Sequence, residues 1–162
     1  MKYFIAIWQA VLLGWVCRGL WVGRTTAQGD TMRADRTRGY LLVVDDDETI
    51  RGLMGDVLRW LGHSAVIVGD ADAAVARFVE ARDTSQPFDA VLTDLYLGVG
   101  DDGASLLRRL RSLEPTLPAV VITGNPEAAP ASDYEAYGFQ ARLGKPFRLN
   151  ELDAAVESVL HY

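Results

Sequence analysis

The stretch "LLVVDDDETI", residues 41–50, runs four apolar residues straight into Asp45, Asp46, Asp47 and Glu48. With Tyr40 before it, the apolar part has the length and continuity of a strand buried on both faces, as in parallel sheets. Carboxylates crowded at the mouth of such a strand are costly. Two like charges about 4 Å apart repel by roughly 4 kcal/mol at an effective dielectric near 20. A compensating positive charge is therefore expected nearby.

Outward from this stretch, strand and helix patterns alternate. "DETIRGLMGDVLRWLG" places Ile50, Leu53, Met54, Val57, Leu58 and Leu61 at helical spacing, with acids in its first turn and Gly62 at its end. "SAVIV" reads as a second strand and "DADAAVARFVEAR" as a second helix, with Ala73, Ala74, Phe78 and Val79 on its inner face. "FDAVLTD" is a third strand ending in Asp94, "DGASLLRRLRSL" a third helix, and "LPAVVITG" a fourth strand carrying Thr123. "PEAAPASDYEAYG" is expected as a weaker fourth helix, "ARLG" as a short fifth strand, and "NELDAAVESVLHY" as a last amphipathic helix. Five strands alternating with five helices define an α/β fold, a doubly wound parallel sheet covered on both faces. Such sheets bind ligands outside the carboxyl ends of their strands.

At that edge the chain delivers Asp45 and Asp46 after the first strand, Asp94 after the third, Thr123 after the fourth and Lys145 after the fifth. Three carboxylates without thiols or histidines form an oxygen-only site suited to Mg2+, which takes carboxylate and water oxygens. Such an ion offsets the repulsion and neutralises charge on an incoming phosphoryl group. Asp94, central on the edge, is placed to be a nucleophile forming an aspartyl phosphate. Thr123 can donate its hydroxyl to a phosphoryl oxygen, and Lys145 supplies a compact positive charge. A cis peptide before Pro146 is expected to turn Lys145 inward. Asp47 and Glu48 are explained by the start of the helix, where carboxylates favour the dipole by about 0.3–1 kcal/mol.

"LLVVDDDETIR", "DAVLTDLYL", "AVVITG" and "LGKPF" resemble, in order and spacing, the motifs of response-regulator receiver domains. The resemblance runs from Tyr40 to the C-terminus, in a style closest to the C-terminal receivers of hybrid histidine kinases. It implies a flavodoxin-like (βα)5 fold with strand order 2-1-3-4-5. It also implies Mg2+-dependent phosphorylation of Asp94 by the phosphohistidine of a histidine kinase or histidine phosphotransfer protein. Asp46 and Asp94 would be direct metal ligands, Asp45 would act through water, and the Tyr96 backbone carbonyl would complete the protein ligands. Thr123 and Lys145 match the family's switch hydroxyl and phosphate-contacting lysine. Arg142 stands where the family usually carries a switching aromatic residue, and Gly98 where a proline is common. What the resemblance implies is a self-phosphorylating signalling domain, not a conventional enzyme, acting by docking to a downstream protein without an output domain. A pseudo-receiver used only for binding is the alternative. A phosphohydrolase would show Asp-x-Asp, present as Asp45 and Asp47, but also a cap insertion, for which no stretch is long enough. Four acids would repel the phosphate of a flavin.

Residues 1–39 form a separate extension, and 40–162 the domain. The extension carries six basic residues against two acidic ones, leaving ten basic against twenty acidic in the domain. So acidic a domain is poor material for nucleic-acid phosphates. Residues 3–23 are nearly apolar but include Arg18, which costs about 2.5–3.5 kcal/mol at the centre of a membrane span. Three readings stay open: a membrane anchor with the domain on the cytoplasmic side, a signal peptide cleaved before Gln28, or an upstream extension with translation starting at Met32. Without an anchor the domain is expected to be cytoplasmic. Cys17 is the sole cysteine, which excludes an intrachain disulfide and a thiol zinc site. His63 is read as an ordinary turn residue, and neither it nor His161 as having a metal-ligand companion at regular spacing.

Overall fold

The structure, a computed structural model, describes residues 38–84, 86–98, 102–127 and 132–161. The five expected strands are β1 Tyr40–Val44, β2 Ser64–Val68, β3 Ala90–Asp94, β4 Ala119–Thr123 and β5 Ala141–Gly144. All pair in parallel in the order β2-β1-β3-β4-β5, the flavodoxin-like order implied by the motifs. The register sets Val44 beside Thr93, Asp94 beside Ile122 and Thr123 beside Gly144. The residues leaving β1, β3, β4 and β5 therefore meet along one edge.

Strand residues alternate between two cores, as a period of two requires. Leu41, Val43, Leu92 and Ile122 face α1 (Glu48–Leu61) and α4 (Leu149–Leu160) through Met54, Leu58, Leu152 and Val156. Leu42, Val44, Val91 and Val121 face α2 (Ala71–Arg82) and α3 (Gly103–Leu113) through Ala74, Phe78, Leu107 and Leu110. Each fully buried Leu or Val contributes about 1.5–3 kcal/mol relative to exposure.

Three helices begin on an aspartate cap, which satisfies backbone donors that the first turn leaves unpaired. Asp47 accepts from Thr49 N at 2.8 Å and Ile50 N at 3.3 Å, Asp70 from Ala73 N at 2.7 Å, and Asp102 from Ser105 N at 2.6 Å. The Thr49 N–H is also the main reason the Asp47 carboxyl lies below its ordinary pKa. Helix α1 ends at Gly62, whose φ of 91° is the left-handed region glycine favours.

Two expectations are corrected. The fourth predicted helix is not formed in the described residues, which leave four helices. Residues 132–138 are tight turns whose bonds join residues three apart, such as Ala136 N to Asp133 O at 3.1 Å and Gly138 N to Glu135 O at 2.9 Å. On α2 the buried positions are Ala71, Ala74, Phe78 and Ala81, while Val79 is exposed. Ala74 and Phe78 thus lie on the inner face as expected, whereas Ala73 is only partly buried and Val79 turns outward.

The extension, with its three readings, lies outside the described residues, apart from Arg38 and Gly39. Among the described residues no helix is long and apolar enough to cross a membrane.

Candidate functional site

The edge residues come together. Carboxylate oxygens of Asp45, Asp46 and Asp94 lie within 4.8 Å of one another. Asp45 and Asp94 are buried, as strand-end residues of central strands, whereas Asp46 is exposed. Lys145 reaches across from beyond β5, its Nζ 2.7 Å from Asp45 Oδ2 and 2.6 Å from Asp94 Oδ2. The Lys145–Pro146 peptide is cis, as expected. The Lys145 N–H donates to Thr123 O at 2.6 Å and ties this turn to β4.

Lys145 is thus a compensating charge supplied by the chain itself. Burial would depress its pKa, but the hydrogen bonds it donates to Asp45 and Asp94, with the charges of those carboxylates, outweigh burial and hold it above the ordinary lysine value. For Asp45 burial dominates and raises the carboxyl above its usual range, although the Lys145 bond pulls it down and Asp94 pushes it further up. A hard divalent ion among these oxygens would favour the ionised form. The donor set of three carboxylates, two of them buried, fits such an ion.

The second carboxylate oxygens of Asp45 and Asp94 are also paired. Asp45 Oδ1 accepts from Asp47 N at 3.0 Å, and Asp94 Oδ1 from Tyr96 N at 3.2 Å. Thr123 is fully buried, and its Oγ1 accepts from Asn125 N at 3.1 Å, which leaves the hydroxyl proton to donate elsewhere. Tyr96 is 58% exposed. Gly98 takes a φ of 85°, a value proline cannot adopt. Arg142 is held on the surface by a bond to Pro126 O and lies 5.9 Å over the Tyr134 ring.

Two supports were not visible in sequence. Arg51, on the first turn of α1, donates to the backbone carbonyls of Asp45 at 2.9 Å and Asp46 at 2.8 Å and so braces the acidic turn. Gly103 opens α3 directly against the Asp94 carbonyl. An arginine six residues after Asp45 and a glycine at a helix start are common features, with no sequence signal to set these two apart.

His63 differs from its predicted role. It is buried, and neither ring nitrogen has a hydrogen-bond partner, at a cost of about 1–3 kcal/mol for such a group. His161 Nε2 lies 3.2 Å from Glu157 Oε2, one helical turn away.

A parallel sheet with a lysine-bridged acidic cluster at its carboxyl edge defines a receiver-type α/β domain, and sequence comparison agrees. The response regulator receiver domain profile matches residues 41–157. The chain belongs to that family, the receivers of two-component systems, in which phosphorylation and Mg2+ are typical. It is 29% identical over 124 residues to the transcriptional regulatory protein FixJ of Bradyrhizobium diazoefficiens, covering 76% of this chain and 58% of FixJ. It is 32% identical over 127 residues to the DNA-binding transcriptional regulator NtrC of Escherichia coli, covering 77% of this chain and 26% of NtrC. The structure also resembles that of the receiver domain of a Pseudomonas aeruginosa sensor histidine kinase, solved with a magnesium ion coordinated in its active-site cleft. That likeness has a TM-score of 0.64 and 26% identity, over 76% of this chain and 98% of that one. The chain therefore spans just over half of FixJ and about a quarter of NtrC.

Proposed function

We propose that this domain accepts a phosphoryl group on Asp94 from the phosphohistidine of a histidine kinase or histidine phosphotransfer protein. The observation that carries the proposal is the convergence of three carboxylates within 4.8 Å, two of them bridged by Lys145 at 2.6 and 2.7 Å. An Asp94 carboxylate oxygen attacks phosphorus; the new O–P bond forms as the P–N bond breaks, and the electron pair returns to the donor imidazole. Asp45, Asp46, Asp94 and the Tyr96 backbone carbonyl would hold Mg2+, which supplies charge neutralisation for the transferring group. Lys145 then pairs with the added phosphoryl charge, and Thr123 donates its free hydroxyl proton to a phosphoryl oxygen. The domain modifies itself, without turning over a substrate, and signals by docking to a downstream protein. We place this chemistry in the cytoplasm, with the phosphodonor, and assign the receiver itself no nucleic-acid contact in view of its acidity.

Full-length protein incubated with labelled acetyl phosphate and Mg2+ should incorporate phosphate, and Asp94→Ala should incorporate none. Label retained by Asp94→Ala would move the acceptor elsewhere; an unlabelled wild type would leave a binding module.

The exposure of Asp46 bears on metal-free stability. If four crowded acids simply repelled one another, removing Asp46 would raise metal-free stability. Lys145 already compensates the buried pair, and Asp46 faces solvent. Asp46→Asn should therefore change metal-free stability by no more than about 0.5 kcal/mol in urea unfolding. It should still weaken Mg2+ binding in a fluorescence titration.

A further inference from the structure

A second cluster lies at the opposite end of the sheet from Asp94. His63 immediately precedes β2, so it sits at the amino edge of the strands, about 15 Å from the acidic site for strands of this length. Its side chain is completely enclosed, and both ring nitrogens lack partners, whereas buried Asp45, Thr93, Asp94 and Thr123 all have them. Nε2 is 4.0 Å from Glu157 Oε1. That separation is too long for a hydrogen bond. Asp153 lies one helical turn before Glu157 on α4, and ligand atoms of His63, Asp153 and Glu157 all fall within 4.8 Å of one another.

We propose that His63, Asp153 and Glu157 form a binding site for a divalent transition ion of the zinc class. An imidazole with two carboxylates suits such an ion better than Mg2+ or Ca2+. Zinc bonds of about 2.0–2.2 Å in tetrahedral geometry set neighbouring ligands about 3.4 Å apart. The two carboxylates are half-buried on one face of α4 and can close the difference by side-chain rotation, leaving solvent the fourth position. Burial and the nearby Arg38 hold His63 below its ordinary pKa, so its ring is neutral and a lone pair is available.

Arg38 occupies this ground without metal, its Nη2 2.7 Å from Glu157 Oε1 and its Nη1 3.4 Å from Asp153 Oδ1. It neutralises the acids but leaves both His63 ring nitrogens without a partner. A bound ion would displace this half-exposed side chain. His161 meanwhile holds the other Glu157 oxygen at 3.2 Å and orients it.

The test is zinc titration of metal-stripped full-length protein by calorimetry, with Mg2+ in large excess to occupy the acidic edge. One binding event is expected, weakened at least about ten-fold by His63→Gln and by Glu157→Gln, and tightened by Arg38→Ala. Should His63→Gln fail to fold, the solvent-side Glu157→Gln and Arg38→Ala still decide. No zinc binding overturns the proposal. So does binding that survives Glu157→Gln, disappears in Asp94→Asn, or depends on His161 while persisting in His63→Gln.

Discussion

Lys145→Met should cost the metal-free protein about 3–5 kcal/mol in denaturant unfolding, the usual penalty for removing one partner of a buried ionic group. Asp45 and Asp94 have side chains only 2% and 12% exposed, and Lys145 Nζ touches both. Methionine fills much of the lysine's volume but leaves two neighbouring carboxylates without a cation. The loss should depend on pH. Burial already raises the folded Asp45 pKa above its unfolded value, so the folded state holds that proton more tightly. The associated stability is complete below the unfolded pKa and is lost as pH rises through the folded one. Removing Lys145 enlarges that shift, so the variant should lie closer to wild type in mild acid than at pH 7–8. Mg2+ should restore part of the loss. A variant as stable as wild type at pH 7 would show that the bridge contributes nothing.

Gly103→Ala should destabilise the domain by about 3 kcal/mol, the upper end of the usual cost of overpacking. A Cβ at this position would be driven into the Asp94 carbonyl and come within 3.0 Å of Thr93 Cγ2. The obstructing atom is backbone and cannot rotate away. Alanine's helix-propensity advantage over glycine, about 1 kcal/mol at most, is too small to compensate. Relief requires α3 to back away from β3, moving the backbone of Asp94, so under the proposed function phosphate incorporation should slow as well. Gly52 is the control. It lies on α1 with open space around its Cβ position, and Gly52→Ala should stabilise by roughly 0.5–1 kcal/mol. The same exchange on two helices should have opposite signs in thermal unfolding. Equal effects would show that helix propensity, not the approach to Asp94, decides both.

The division of the acidic run was legible because each half follows a local rule. Asp47 caps a helix because it stands immediately before an amphipathic pattern, and Asp45 reaches the sheet edge because it follows a continuous apolar strand. Asp94, Thr123 and Lys145 were legible in the same way, each standing at or just beyond the end of a strand pattern. The short fourth helix failed where local signals were mixed: alanines favour a helix through this segment, but its described parts, 126–127 and 132–138, are turns. Val79 failed because an apolar residue on a short helix does not reveal which way the helix is rotated.

The sequence by itself determined the parallel α/β sheet, the edge on which chemistry gathers and the identities of the acids there, since strand ends and helix starts are written in neighbouring residues. Only the tertiary structure decided that Lys145 bridges Asp45 and Asp94, that Gly103 gives α3 its approach to the Asp94 carbonyl, and that His63 is enclosed beside Asp153 and Glu157. Asp45 and Lys145 are 100 residues apart. Their 2.7 Å contact depends on strand register and side-chain direction across the whole sheet, which no local periodicity encodes.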